Sequence, residues 1–146
     1  MADGGAKGGG KILMTIMTID FLERLVELLN DQGYYSIVTS PILKDGNSIA
    51  VMTMPTSEYQ LYMDSSYRQG YAFQVSTKHQ DQLTGYNTLL SITNLLQYID
   101  DIPSNNNSYE FEGVRITTSP NVVAQDEKYY YHAAQFSADL YIEGGK

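Results

Sequence analysis

Apolar residues in "FQVSTKHQDQLTGYNTLL", Phe73 to Leu90, change their spacing partway along the stretch. Phe73, Val75 and Thr77 alternate with Gln74, Ser76 and Lys78, the period of a strand with one buried face. From Leu83 onward the apolar positions recur every three or four residues, the period of a helix. The pattern predicts a strand from about Tyr67 to Lys78 that runs straight into a helix from Asp81 to about Asp100. Leu89, Ile92, Leu96 and Ile99 lie on one stripe of that helix, and Leu90 and Leu95 widen it. Such a helix would be about 30 Å long, enough to cover one face of a sheet.

Upstream, "TIDFLERLVELLNDQG" places Leu22, Leu25, Val26 and Leu29 on one stripe and Glu23, Arg24 and Glu27 outside it, predicting an amphipathic helix. Thr18 or Asp20 can accept the unpaired amide hydrogens at its start, Asp20 with Glu23 has capping-box spacing, and Gly33 is placed to end it. Two β-branched runs follow, "YYSIVTSP" and "NSIAVMTMP", limited by Pro41 and Pro55 and separated by an Asp45-Gly46 turn signal. "TSEYQLYMDSSYRQG" reads as a long connection with strand character at its end, and "DDIPSNNNS" as a loop. Beyond it Tyr109 and Phe111 alternate, then the apolar parity flips to Val114 and Ile116. A one-residue slip swaps the faces of a strand, so Gly113 should mark a bulge or a tight turn. In the last segment, Tyr129 to Glu143, Tyr130, Ala134, Phe136, Ala138, Leu140 and Ile142 face one way, and Gln135, Ser137, Asp139 and Glu143 the other.

These elements predict an α+β fold: a mostly antiparallel sheet of about four strands with two helices packed on its one apolar face. A chain of 146 residues fits a single domain. Residues 1–13, "MADGGAKGGGKIL", have the glycine density of a flexible linker, and are expected to be a leader added ahead of a native start at Met14 or Met17. Residues 14–146 then form the one domain. Cysteine is absent, which excludes disulfides, thiolate metal sites and a cysteine nucleophile. With 17 acidic against 9 basic side chains and a net charge of -8, the chain as a whole is repelled by phosphate backbones and anionic lipid. No apolar run reaches the roughly 18 residues of a membrane-spanning helix.

Candidate chemistry is sparse. The two histidines, His79 and His132, stand outside any H-x-H or H-E-x-x-H arrangement, and a lone imidazole is more often structural than metal-binding or catalytic. The acids pair only locally, Asp100 with Asp101 and Asp126 with Glu127, as solvated loop charges do. No nucleophile elbow or phosphate-binding glycine loop is present, and "NNS" at Asn106 to Ser108 reads as a polar turn. No catalytic residue, cofactor or metal ligand is therefore assigned. Tyrosine is the unusual count: thirteen, against four phenylalanines and no tryptophan. Tyr59, Tyr62, Tyr67, Tyr129 and Tyr131 fall at strand ends or on polar parity, which makes them candidate protein-interface residues, although a half-buried strand position explains a tyrosine equally well.

The order of elements carries more than any motif. The amino-terminal helix, "SIAVMTMP", the "FQVSTKHQD" strand leading into its helix, "YEFEGVRITTSP" and the closing "QDEKYYYHAAQFSADLYI" resemble the small minor capsid or tail terminator (tail completion) proteins of tailed bacteriophages. The resemblance runs from about Thr18 to Ile142. It implies a virion protein without enzymatic activity whose copies form a ring, typically a hexamer, at the head-proximal end of the tail. The ring would stop growth of the tail tube protein and dock on the head connector, with genomic DNA as passing cargo and no membrane partner. Two other functions remain open at this point: a head-completion or neck adaptor subunit, and a tyrosine-rich module that binds a small ligand such as a carbohydrate.

Overall fold

The computed structural model describes residues 19–55, 59–61 and 67–143. The leader expected over residues 1–13 lies outside them. In chain order the described elements are α1 (Phe21–Asn30), β1 (Val38–Thr39), β2 (Ser48–Thr53), β3 (Tyr59–Leu61), β4 (Tyr67–His79), α2 (Gln82–Tyr98), β5 (Glu110–Gln125) and β6 (Tyr130–Ile142). The strands join in one sheet in the order β1-β2-β4-β6-β5, with β3 pairing β4 off that path. The sheet is antiparallel except where β1 runs parallel to β2. The fold class is α+β, as expected. The long strands β2, β4, β5 and β6 match the expected number; of the first β-branched run only the two residues of β1 pair, and β3 is a three-residue piece within the segment read as a connection. β2 and β3 share one edge of β4, end to end, while β6 pairs the full length of the other edge.

Both helices bury their stripes in one core. Phe21, Leu25 and Leu29 of α1 and Leu89, Ile92 and Leu96 of α2 meet Ile49 and Val51 of β2, Phe73 and Val75 of β4, and Ala134, Phe136, Ala138 and Leu140 of β6. Register explains the match. Val51 lies opposite Val75, Phe73 opposite Phe136 and Val75 opposite Ala134, so the alternating apolar positions of three strands point the same way. Phe73 and Phe136 stack at 5.1 Å, and Phe21 fits among Phe73, Tyr71 and Tyr109 at 5.9, 5.0 and 5.6 Å. The opposite face is polar. Gln135 donates to Gln74 across the β4–β6 pair at 3.2 Å, and Arg68 of β4 reaches over β6 to grip Glu112 of β5 with two bonds, at 2.6 and 2.9 Å.

The helix ends differ from one another. Asp81 caps α2, its carboxylate accepting from the Thr84 amide at 2.9 Å. Asp20 occupies the equivalent place before α1, but its side chain makes no cap bond, contrary to the capping-box expectation. Its carboxylate turns to the loop after α2 and accepts from Ser104 Oγ at 2.7 Å and the Asn105 amide at 2.8 Å. Gly33 has the expected positive φ of 76°, three residues beyond the last residue of α1.

Gly113 marks a bulge and not a turn. Phe111 and Gly113 lie opposite Leu140 and Asp139, leaving Glu112 as the extra residue, and Gly113 takes a φ of 150°. β5 continues past it to Gln125, with further register shifts at 116/118, 118/121 and 122/124. The third of the four shifts brackets Pro120, which lacks an amide donor and is tolerated on an edge strand at such an irregularity.

Candidate assembly surfaces

Of the five tyrosines singled out from sequence, Tyr62 lies outside the described residues and Tyr59 is placed only by its strand pairing with Gln69. Tyr67 is half-buried against the core, opposite Ile142. Tyr129 and Tyr131 come together at the far end of the sheet, around the β5–β6 turn. There the Asp126 carboxylate accepts from the Lys128 and Tyr129 amides at 2.9 and 2.7 Å and from the Tyr131 hydroxyl at 2.8 Å. These bonds hold the Asp126 carboxyl below its ordinary pKa and push the Tyr131 phenol up. Lys78 and Lys128 approach the Tyr129 ring, with Nζ at 4.5 and 5.5 Å from its centre. The fold thus brings two of the five into one cluster and keeps Tyr67 at the other end of β4.

Both histidines are at this same end. His79 Nδ1 accepts from the Asp81 amide at 2.9 Å, which fixes the strand-to-helix joint, and its ring stands edge-on to Tyr35 at 4.7 Å. Tyr35 in turn donates to the carbonyls of Ser48 and Lys78, and burial pushes its phenol up to about 12. His132 is enclosed beneath α2, and burial pushes its imidazole pKa down. Asp100 and Asp101 line a shallow groove with Glu110 at the opposite end. Glu110 pairs with Tyr141, nine positions from His132 along β6, a separation of about 30 Å. Asn106 makes the polar turn expected of it, its side-chain oxygen accepting from Ser104 Oγ and the Ser108 amide.

Most of the large apolar side chains that stand exposed among the described residues, Met52 and Tyr98 aside, lie on two surfaces. Ile37 and Ile42 flank β1 at one edge of the sheet, 73 % and 65 % exposed. At the other edge, Val122 and Val123 of β5 are accompanied by Leu83 at the start of α2. Leu83, Tyr86, Gln82, Val122 and His132 line a groove of about 310 Å³ there. Leu83 sits off the stripe formed by Leu89, Ile92 and Leu96, which is the one sequence signal that could have pointed to it. Among the described residues neither β1 nor β5 has a strand on its outer side.

No protein-family model matches this chain, and no curated protein matches it either.

Proposed function

We propose that this chain is a non-enzymatic structural subunit of a tailed-phage virion: a tail terminator or completion protein whose copies close into a ring, a hexamer, at the head-proximal end of the tail. There it caps the tail tube and joins it to the head connector. Beside the resemblance, one observation carries this reading. The two outer edges of the sheet bear different apolar surfaces, Ile37 with Ile42 at β1 and Leu83 with Val122 and Val123 at β5. A closed ring of identical subunits needs two unlike patches that meet head to tail, whereas a two-fold dimer needs a single self-complementary one. The ladder-breaking shifts in β5 discourage indefinite strand pairing at that edge, which favours side-chain docking over fibre growth. The acidic net charge suits a lumen through which DNA passes without adhering.

Negative-stain imaging with sedimentation in solution, followed by addition to growing tail tubes, tests the proposal. Rings that halt tube lengthening are expected. Rings that bind connector but leave tube growth unaltered would make it a neck adaptor, and a monomer that binds glycans and ignores tubes would make it a ligand-binding module.

A further inference from the structure

His132 is 1 % exposed, and its Nδ1 has no hydrogen-bond partner. Gly85, fourth residue of α2, lies directly over it: a Cβ at Gly85 would come 3.5 Å from Nδ1. The Tyr86 ring tilts beside it at 5.7 Å, Thr77 of β4 and Val122 of β5 are its register partners, and the Thr77 hydroxyl is committed to the Gly85 carbonyl at 3.1 Å. A charged imidazole carries protons on both nitrogens. The Nδ1 proton would meet helix backbone in a first turn whose dipole is already positive, with no acceptor at hand.

The titratable groups around it offer no compensation. Tyr86 and the N-cap Asp81 come from α2, His79, which also lies against Gly85, from β4, and Tyr130 from the same face of β6, while β5 presents Val122 flanked by Asn121 in register. The Asp81 carboxylate is engaged by Thr84, and burial is what acts on the His132 imidazole.

We propose that His132 is an acid-sensitive latch whose protonation releases the start of α2, Gln82 to Tyr86, from the β5–β6 hairpin. Leu89, Ile92 and Leu96 keep the rest of the helix packed. Leu83 and Tyr86 form one wall of the groove whose floor and other wall are His132 and Val122, so release dismantles that groove. The sign follows from the folded pKa lying below the ordinary 6.5. Opening gains nothing above that value and becomes easier by about tenfold for each pH unit below it, until the closed state itself takes the proton.

Amide hydrogen exchange of the full chain between about pH 7.5 and about pH 5, corrected for intrinsic rate, tests this alongside the ring-carbon NMR signal of His132. His79→Gln leaves one imidazole to follow. Below about pH 6.5, protection of residues 84–86 should fall by up to about tenfold per pH unit while that of residues 92–96 holds, and His132→Phe should abolish the dependence. Protection that does not change with pH, or the same dependence in His132→Phe, overturns the proposal. Should His132→Phe fail to fold, the His79→Gln protein decides: protection that holds down to about pH 5, or a His132 signal that titrates at or above the ordinary 6.5, is equally fatal.

Discussion

The Asp20 carboxylate accepts a hydrogen bond from Ser104 Oγ at 2.7 Å, across 84 positions of the chain. With the Asn105 amide and Ser108 Oγ on the same carboxylate, it ties the start of α1 to the loop that leads into β5. Burial alone would raise the Asp20 pKa, but these bonds outweigh it and hold the carboxyl below its ordinary 3.8. A depressed carboxyl contributes stability that is complete above the unfolded value and is lost as pH falls through the folded one. Asp20→Ala is expected to cost about 1–2 kcal/mol near neutral pH, discounted for partial solvent exposure, and progressively less in acid below the ordinary 3.8, measured by urea denaturation in both ranges.

Phe73 and Phe136 stack face to face at the centre of the sheet, neither more than 1 % exposed. Phe136→Ala removes a fully buried ring and its stacking on Phe73. A loss of about 3–5 kcal/mol in chemical denaturation is expected.

Thr93 is buried on α2, and its hydroxyl has no hydrogen-bond partner. Thr93→Val exchanges an unsatisfied oxygen for a methyl group of similar size. Stability should rise by about 1 kcal/mol, which calorimetry can read.

Gly85 illustrates a glycine that the fold tolerates but does not require. A Cβ there would make only ordinary contacts, 3.4 Å from His79 Cβ and 3.5 Å from His132 Nδ1. Gly85→Ala should therefore stabilise α2 by up to about 1 kcal/mol in thermal unfolding.

Two unlike edge surfaces make a mixing experiment decisive for assembly. Ile37→Glu and Val122→Glu each spoil one surface and leave the other intact. Each alone should remain monomeric, and the mixed pair should form a heterodimer that goes no further. Native mass spectrometry distinguishes this from two-fold pairing, in which one variant would still dimerise by itself.

The periodic elements could be read from the amino acids because burial is periodic: β4, β6 and α2 each place apolar residues at the spacing of the surface they cover. The parity flip at Gly113 likewise announced a break in register, and pairing with β6 decided that it is a bulge. Local spacing misled at Asp20, whose acid three residues before Glu23 fits a capping box, yet whose partners arrive from Ser104 to Ser108. β1 falls in the β-branched run "YYSIVTSP", of which pairing with β2 keeps only two residues, whereas the three residues of β3 carry no period of their own and depend on the edge that β4 supplies. The candidate surfaces were hidden for a related reason. Ile37, Leu83 and Val122 are ordinary apolar letters, and exposure is a property of what the rest of the chain fails to cover.

The sequence by itself determined the fold class, the acidic charge, the absence of thiol chemistry and the faces of the long elements, since each depends on residue type and short-range spacing. Only the tertiary structure decided the strand order, the enclosure of His132 beneath Gly85, the union of Tyr129 with Lys78, and the placing of apolar residues at both outer edges. Those relationships join residues distant along the chain, and their energies arise from packing and desolvation that exist only once the sheet and its two helices have closed on one another.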